Sequence, residues 1–233
     1  MILIDYNAVA IGNLVVQRLD VEENLLRHMI LNSIRMYRQK FQNEYGEVVI
    51  VADGQANWRR DVFPQYKYKR RKSRDESKID WNEAFRIINM VRDEIRDHFP
   101  YKVMHEPNCE ADDVIARLAL ETQEFGKHEP VMIISADHDF IQLHNICEFT
   151  LYNPVKKKEI PRPDYDYVAW KALRGDPTDN VPGIPRVGDK TALKLVNDAK
   201  LLREFLDKGD HQKIFDRNVD LIRLVDLSKS EDE

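Results

Sequence analysis

A mainly parallel α/β sheet flanked by helices is the fold this sequence predicts, and three observations predict it. Short apolar runs of the kind buried in parallel sheets recur at 1–4, 48–52, 101–104, 131–136 and 147–152. Stretches of helical periodicity separate them, the alternation that marks β-α units. Finally, Asp5, Asp53 and Asp137 each stand where an apolar run ends. In parallel α/β sheets that carboxyl edge is where sites form.

Taken in order, Met1-Ile2-Leu3-Ile4 is a buried strand ending on Asp5. A long helix is expected from Asp20 or Val21 to Tyr45, with Leu26, Ile30, Ile34, Tyr37 and Phe41 at core spacing and Gly46 as its stop. The second strand, Val48 to Ala52, delivers Asp53-Gly54. The stretch from Trp58 to Arg74 then carries eight basic residues and one acid, with Trp58, Phe63, Tyr66 and Tyr68 interleaved. A solvated charge run is the plain reading. Cations mixed with aromatics suit a single-stranded nucleic acid better, because phosphates need charge and unstacked bases need flat faces. Arg59, Arg60, Lys69 and Arg71 are the candidate phosphate contacts there.

Helical periodicity returns from Ile79 to Phe99, and Tyr101 to Met104 reads as a third strand. Cys109-Glu110-Ala111-Asp112-Asp113 opens a helix expected to run to Phe125, with Gly126 as its stop. Acids in a first helical turn complement its dipole, so capping explains this cluster taken alone. It does not explain the acids at the strand ends. Val131 to Ala136 is the clearest strand and leads to Asp137-His138-Asp139, with His138 read as structural; Cys147 to Tyr152 is a fifth strand. From Asp164 the chain turns helical, with one helix over Tyr165 to Leu173. Gly183 and Gly188 flank a short apolar hairpin before a helix that opens at Lys190-Thr191. Free N–H groups at such a helix start, approached closely past glycine, can hold a phosphate. This is the pattern of a helix–hairpin–helix duplex grip.

The expected division is an α/β core over 1–163, carrying the basic stretch at 54–78, and a helical region over 164–233 with the hairpin element at 165–197. Net charge is −5, but with nine candidate acids set aside the remainder is +4, so the total does not argue against a nucleic-acid partner. The two cysteines make neither a metal pair nor a disulfide framework. With no apolar run of membrane-spanning length and a strand at Met1, the expected setting is cytoplasmic (a host cytoplasm if the chain is phage-encoded), without a membrane partner.

Asp5, Asp53, Glu110, Asp112, Asp113, Asp137, Asp139, Asp176 and Asp179 are all oxygen donors, which favours Mg²⁺ or Mn²⁺ over zinc. So many carboxylates stay charged together only beside cations. Two divalent ions, roughly 3.5–4 Å apart in typical sites, would serve phosphodiester hydrolysis. Glu110 and Asp113 share a helix face while Asp112 points elsewhere.

The order Asp5, Asp53-Gly54, Glu110-Ala111-Asp112-Asp113, Ser135-Ala136-Asp137-His138-Asp139 and Gly175-Asp176-Pro177-Thr178-Asp179-Asn180 resembles the 5′-nuclease, or flap endonuclease, superfamily. Arg27 to Ile34, Trp58-Arg59-Arg60-Asp61 and Gln142-Leu143-His144 resemble its phage-type ribonuclease H branch, and the likeness reaches Leu227. The resemblance implies a PIN-like core with a basic arch. It implies 5′→3′ exonuclease and flap endonuclease action on 5′-flap, nicked or gapped DNA and on RNA–DNA hybrids, clearing lagging-strand primers with two Mg²⁺ ions. Lys67 would stabilise the scissile phosphate, with Arg70 as a second cation, and Tyr66 would stack on a displaced base. Hairpin carbonyls in such relatives can hold K⁺. Pro185 stands where relatives commonly have glycine. A monomer is expected, with a single-strand-binding protein or sliding clamp as candidate partners. Two rival readings are a non-catalytic branched-DNA-binding protein and a PIN-type single-strand ribonuclease. Concentrated acids weigh against the first and the hairpin against the second.

Overall fold

The computed structural model describes residues 1–17, 21–54, 58–124 and 128–224. In chain order the elements are β1 (Ile2–Asp5), α1 (Tyr6–Gln17), α2 (Glu23–Tyr45), β2 (Val48–Ala52), α3 (Arg59–Val62), α4 (Tyr68–Asp75), α5 (Trp81–His98), β3 (Lys102–His105) and α6 (Ala111–Glu124). There follow β4 (Met132–Ile134), a 3₁₀ turn (Asp139–Asn145), β5 (Thr150–Asn153), β6 (Lys158–Ile160), α7 (Tyr167–Arg174), β7 (Gly175–Asp176), β8 (Val181–Pro182), α8 (Asp189–Val196), α9 (Ala199–Leu206) and α10 (His211–Ile222).

Among the described residues, those of 1–54 and 78–161 form one compact unit, and those of 58–77 with 162–224 form another. The sequence expectation assigned the arch to the first of these; instead it groups with the helical region. The physical reason is a small apolar cluster in which Phe63 and Tyr66 of the arch segment pack with Val181 and Leu221.

In the first unit six strands lie in the order β3-β2-β1-β4-β5-β6. The pairs up to β5 are parallel, and β6 runs antiparallel to β5. Strand residues alternate between faces: Ile2, Ile4, Ile50, Met132 and Ile134 join α1, α2 and α5 in the main core. On the opposite side α6 lies against β1 and β2. The chain therefore winds outward one way through β2 and β3, then returns to the other side of β1 through β4. That reversal is a topological switch point, and Asp5 closes β1 at it.

Most elements fall within a few residues of their expected places. Phe125, Gly126 and Asp20 lie outside the described residues. Several elements escaped sequence reading, among them the helices α3 and α4 in the basic stretch, the 3₁₀ turn, the strands β7 and β8, and also α1 and β6. α1 begins directly after Asp5 with no intervening turn, and its apolar residues, from Ala8 to Val16, do not keep to one stripe. β6, Lys-Glu-Ile, is an edge strand too short and too charged to show a pattern. Among the described residues, no helix is long and apolar enough to cross a membrane.

Candidate functional site

At the switch point, Asp5 is buried at 6 % exposure. Its Oδ1 accepts the Ala8 N–H at 3.0 Å, which caps α1, and its Oδ2 accepts the Ser135 hydroxyl at 2.7 Å. Ser135 Oγ in turn accepts the Asp137 N–H at 3.0 Å, and Asp137 Oδ1 accepts the Asp139 N–H at 2.8 Å. One chain of hydrogen bonds thus fixes Asp5 to the loop that follows β4. Asp53 is placed from the other neighbouring strand, its Oδ1 accepting the N–H of Ala111, the first residue of α6. Capping is therefore part of what Asp5 and Asp53 do, each for a different helix.

Capping does not account for the charge. Burial pushes the Asp5 carboxyl up, the Asp53 charge raises it further, and Asp137 adds to the effect. Hydrogen bonds from Ser135 and Ala8 pull the other way, yet the group stands at about 7 against an ordinary 3.8. Glu110 and Asp113 are buried while Asp112 is half-exposed, the division that helical spacing predicts. Asp139 is also buried. An all-oxygen set in which the charges of Asp53 and Asp137 raise the pKa of Asp5 fits a hard divalent cation, which relieves the repulsion that burial intensifies. His138 meets Lys156, Nε2 to Nζ at 3.0 Å.

Gly54 shows why this edge takes glycine. A Cβ there would lie 2.0 Å from the Glu106 carbonyl oxygen and 2.6 Å from that of Pro107, and the Gly54 N–H bonds Cys109 O at 2.8 Å. The segment leading into α6 rests directly on this backbone. Gly54→Ala is expected to destabilise by about 3 kcal/mol, since backbone rather than a side chain must yield. A thermal melt checks this, and an unchanged midpoint would refute it.

In the second unit, Asp176 ends β7 and Asp179 sits in the turn that leads to β8, both buried. Burial pushes Asp176 up, but Lys171 Nζ at 2.6 Å and the Thr178 N–H at 2.8 Å outweigh it, leaving the carboxyl below its usual range. Asp179 draws the arch onto the turn. Its carboxylate accepts the Tyr66 hydroxyl at 3.1 Å, pairs with Arg70 and has Lys67 Nζ at 3.9 Å; its carbonyl accepts the Lys67 N–H at 2.8 Å. Asn180 Nδ2 adds a bond to Gln65 O at 2.8 Å. Lys67 itself is left-handed, at φ 57°.

Two expected nucleic-acid contacts are corrected by this arrangement. Arg59 is 1 % exposed; its Nε donates to Leu221 O at 2.8 Å and its Nη2 to Arg223 O at 3.1 Å. Those carbonyls end α10, where helical partners run out, so the guanidinium is consumed as a cap. Tyr66 is 5 % exposed, with its hydroxyl on Asp179, rather than presenting a face for stacking. Arg59→Ala should cost about 2–4 kcal/mol, because the buried Leu221 carbonyl and the partly buried Arg223 carbonyl lose their donor. Arg59→Lys should recover only part, lacking the fork. Denaturant unfolding tests this; a variant of wild-type stability with weakened nucleic-acid binding would reverse the assignment.

Arg60 and Lys69 are exposed, as are Gly188, Lys190 and Thr191 at the start of α8. The Arg71 side chain lies outside the described set. Gly183 serves a close backbone crossing: a Cβ would fall 2.1 Å from Arg174 O. In the hairpin it is Arg186 rather than Pro185 that takes the positive φ, 66°, where glycine is favoured.

Residues 2–171 match the family model of the 5′-3′ exonuclease N-terminal resolvase-like domain, and residues 163–225 match that of the 5′-3′ exonuclease C-terminal SAM fold. Ribonuclease H of Enterobacteria phage T4 is 35 % identical over 192 residues, covering 78 % of this chain and 62 % of that protein. The 5′-3′ exonuclease of Buchnera aphidicola subsp. Acyrthosiphon pisum is 31 % identical over 167 residues, 68 % of this chain and 55 % of its own. The chain thus spans less than two thirds of either relative. Among solved structures, the bacteriophage T5 flap endonuclease in complex with DNA and metal ions superposes with a TM-score of 0.78 at 15 % identity, over 99 % of this chain and 93 % of that one, a likeness of fold. With the first model spanning well over half of its residues, this chain belongs to the 5′-3′ exonuclease family.

Proposed function

We propose that the protein is a Mg²⁺-dependent 5′→3′ exonuclease and structure-specific flap endonuclease. It hydrolyses phosphodiesters of 5′-flap, nicked or gapped DNA and of RNA–DNA hybrids, and its task is the removal of lagging-strand RNA primers in the cytoplasm. The observation that carries this reading is the buried Asp5 at the switch point, raised to about 7 beside Asp53 and Asp137. A protein that only gripped branched nucleic acid would gain nothing from such a concentration of negative charge.

In this reading Asp5, Asp53, Glu110, Asp112, Asp113, Asp137 and Asp139 are the oxygen ligands of the first unit, and Asp176 and Asp179 are ligands on the second. Bound divalent cations would supply Lewis-acid charge to the scissile phosphate and lower the pKa of an attacking water. The chain's own residues do the rest. Ser135 orients Asp5 and, through its Oγ, the backbone of Asp137. Lys67 and Arg70 supply positive charge toward the phosphate. Arg60, Lys69, Arg71, Lys190 and Thr191 bind backbone phosphates without reading sequence. Exposed Gly188 lets the duplex approach α8, and a K⁺ ion on the hairpin carbonyls belongs to the same proposal, as does a monomer working beside a single-strand-binding protein or sliding clamp.

The test is cleavage of a labelled 5′-flap duplex and of a primer hybrid, each with Mg²⁺ and after chelation. Short 5′ products are expected from both substrates with Mg²⁺ and none without it. Undiminished product after chelation would overturn the mechanism. Cutting confined to single-stranded RNA would favour the ribonuclease reading.

A further inference from the structure

A ribbon of two two-residue strands cannot hold its own shape in water, yet β7, β8 and the turn between them carry both candidate ligands of the second unit, Asp176 and Asp179. What fixes the turn is legible in the hydrogen bonds at the end of α7, where the last carbonyls have no helical partners. The Lys171 carbonyl takes the Gly175 N–H, and the Leu173 carbonyl takes the Ile184 N–H at 2.9 Å. Between them, the Ala172 carbonyl is met by a side chain from a distant helix: Asn218 Nδ2 donates to it at 2.8 Å. The same nitrogen donates to Pro182 O at 2.9 Å, on the far strand of the ribbon.

Asn218 is completely buried in α10, at 0 % exposure. Its Oδ1 is held in turn by Arg217, at 2.9 Å from Nη2 and 3.2 Å from Nε, and Arg217 Nη2 reaches Pro182 O at 3.3 Å. One amide therefore ties the helix before the acid-bearing turn to the strand after it, and its own orientation is locked. A buried amide is a costly choice at a core position unless both of its ends are used. Here both are used, the nitrogen on the two flanks of Asp176–Asp179 and the oxygen on Arg217. Apolar packing alone would fill the same space without fixing the register of the turn.

We propose that Asn218, oriented by Arg217, is a positioning residue for the Asp176–Asp179 turn, holding the two carboxylates in the arrangement that takes a divalent cation. α10 then belongs to the working machinery although it contributes no reacting group. This rests on the reading of Asp176 and Asp179 as metal ligands. Partners that orient ligands typically change metal affinity by about 10- to 100-fold when lost.

Mn²⁺ titrated calorimetrically into the metal-free full chain, without nucleic acid, tests the proposal. Asn218→Asp keeps the shape but turns an acceptor toward the Ala172 and Pro182 carbonyls. It is expected to weaken Mn²⁺ about 10-fold or more, at a temperature where circular dichroism shows the variant folded. Arg217→Gln should weaken it in the same direction by less. Leu206→Ala, a cavity in the neighbouring apolar cluster, should lower the thermal midpoint and leave Mn²⁺ affinity unchanged. Wild-type Mn²⁺ affinity in Asn218→Asp would overturn the proposal. Should that variant fail to fold, unchanged affinity in Arg217→Gln would overturn it equally. Asp176→Asn separates the two levels: if it weakens Mn²⁺ and Asn218→Asp does not, only the positioning role falls. If neither does, the ligand assignment falls first.

Discussion

Asp5→Asn is expected to abolish cleavage and, at the same time, to make the metal-free protein more stable. The structure sets these two effects against each other. Asn keeps an oxygen for the Ala8 N–H that starts α1, and its amide can donate to Ser135 Oγ, so the hydrogen-bond chain survives in altered polarity. What it removes is a charge that burial, Asp53 and Asp137 all oppose. The sign follows from the raised value. A carboxyl at about 7 when folded and 3.8 when unfolded contributes stability that is complete below pH 3.8 and lost as the pH rises through about 7. The interval is worth ~4 kcal/mol at most. Without metal, the wild-type chain should therefore melt below the variant at pH 8, and the difference should shrink toward pH 4. Mn²⁺ should raise the wild-type midpoint more than the variant's, because a cation bound to the native state alone stabilises it. Cleavage should fall by about 10³-fold or more, the scale expected when electrostatic stabilisation of the reaction is removed. A variant that cuts at a comparable rate, or melts below wild type at pH 8 without metal, would remove Asp5 from the site.

Much of this was legible beforehand, for definite reasons. Buried parallel strands announce themselves as unbroken apolar runs, so Ile2–Ile4, Val48–Ala52 and Met132–Ile134 could be found, and with them the edge on which Asp5, Asp53 and Asp137 lie. Helix spacing separated Asp112 from Glu110 and Asp113, and burial divides them the same way. What could not be read was the use to which cations are put. In sequence, Arg59 and Arg60 are equivalent neighbours in a basic run. In the structure one is sealed against the end of α10 and the other is exposed. That difference is set by carbonyls of Leu221 and Arg223, far along the chain, and no local pattern encodes a partner at such separation. Tyr66 and Asn218 were obscured in the same way, the first read as a stacking ring and the second not singled out at all. The hairpin taught a related lesson: Pro185 drew attention by its type, but the left-handed residue is Arg186, and only backbone angles reveal it.

Lys67 brings both strands of this reasoning together, because its backbone and its side chain have separable jobs. The backbone is left-handed, and its N–H holds the Asp179 carbonyl at 2.8 Å. The side chain, largely shielded, carries an ammonium 5.0 Å over the Tyr66 ring and 3.9 Å from Asp179 Oδ2. A positive charge fixed in so dry a setting acts strongly on a phosphate that gains charge during reaction, and it needs no reorganisation to do so. Lys67→Ala should therefore lower the single-turnover rate by about 10²–10³-fold, with substrate affinity changed only a few-fold. Lys67→Gly should be as slow but more stable than the alanine variant by up to about 1 kcal/mol, since glycine accepts a positive φ without strain. The comparison isolates the ammonium from the turn it stands on. If affinity collapses while the rate at saturating substrate holds, Lys67 is a binding contact and nothing more. If glycine restores the rate that alanine loses, the backbone conformation matters and the charge does not.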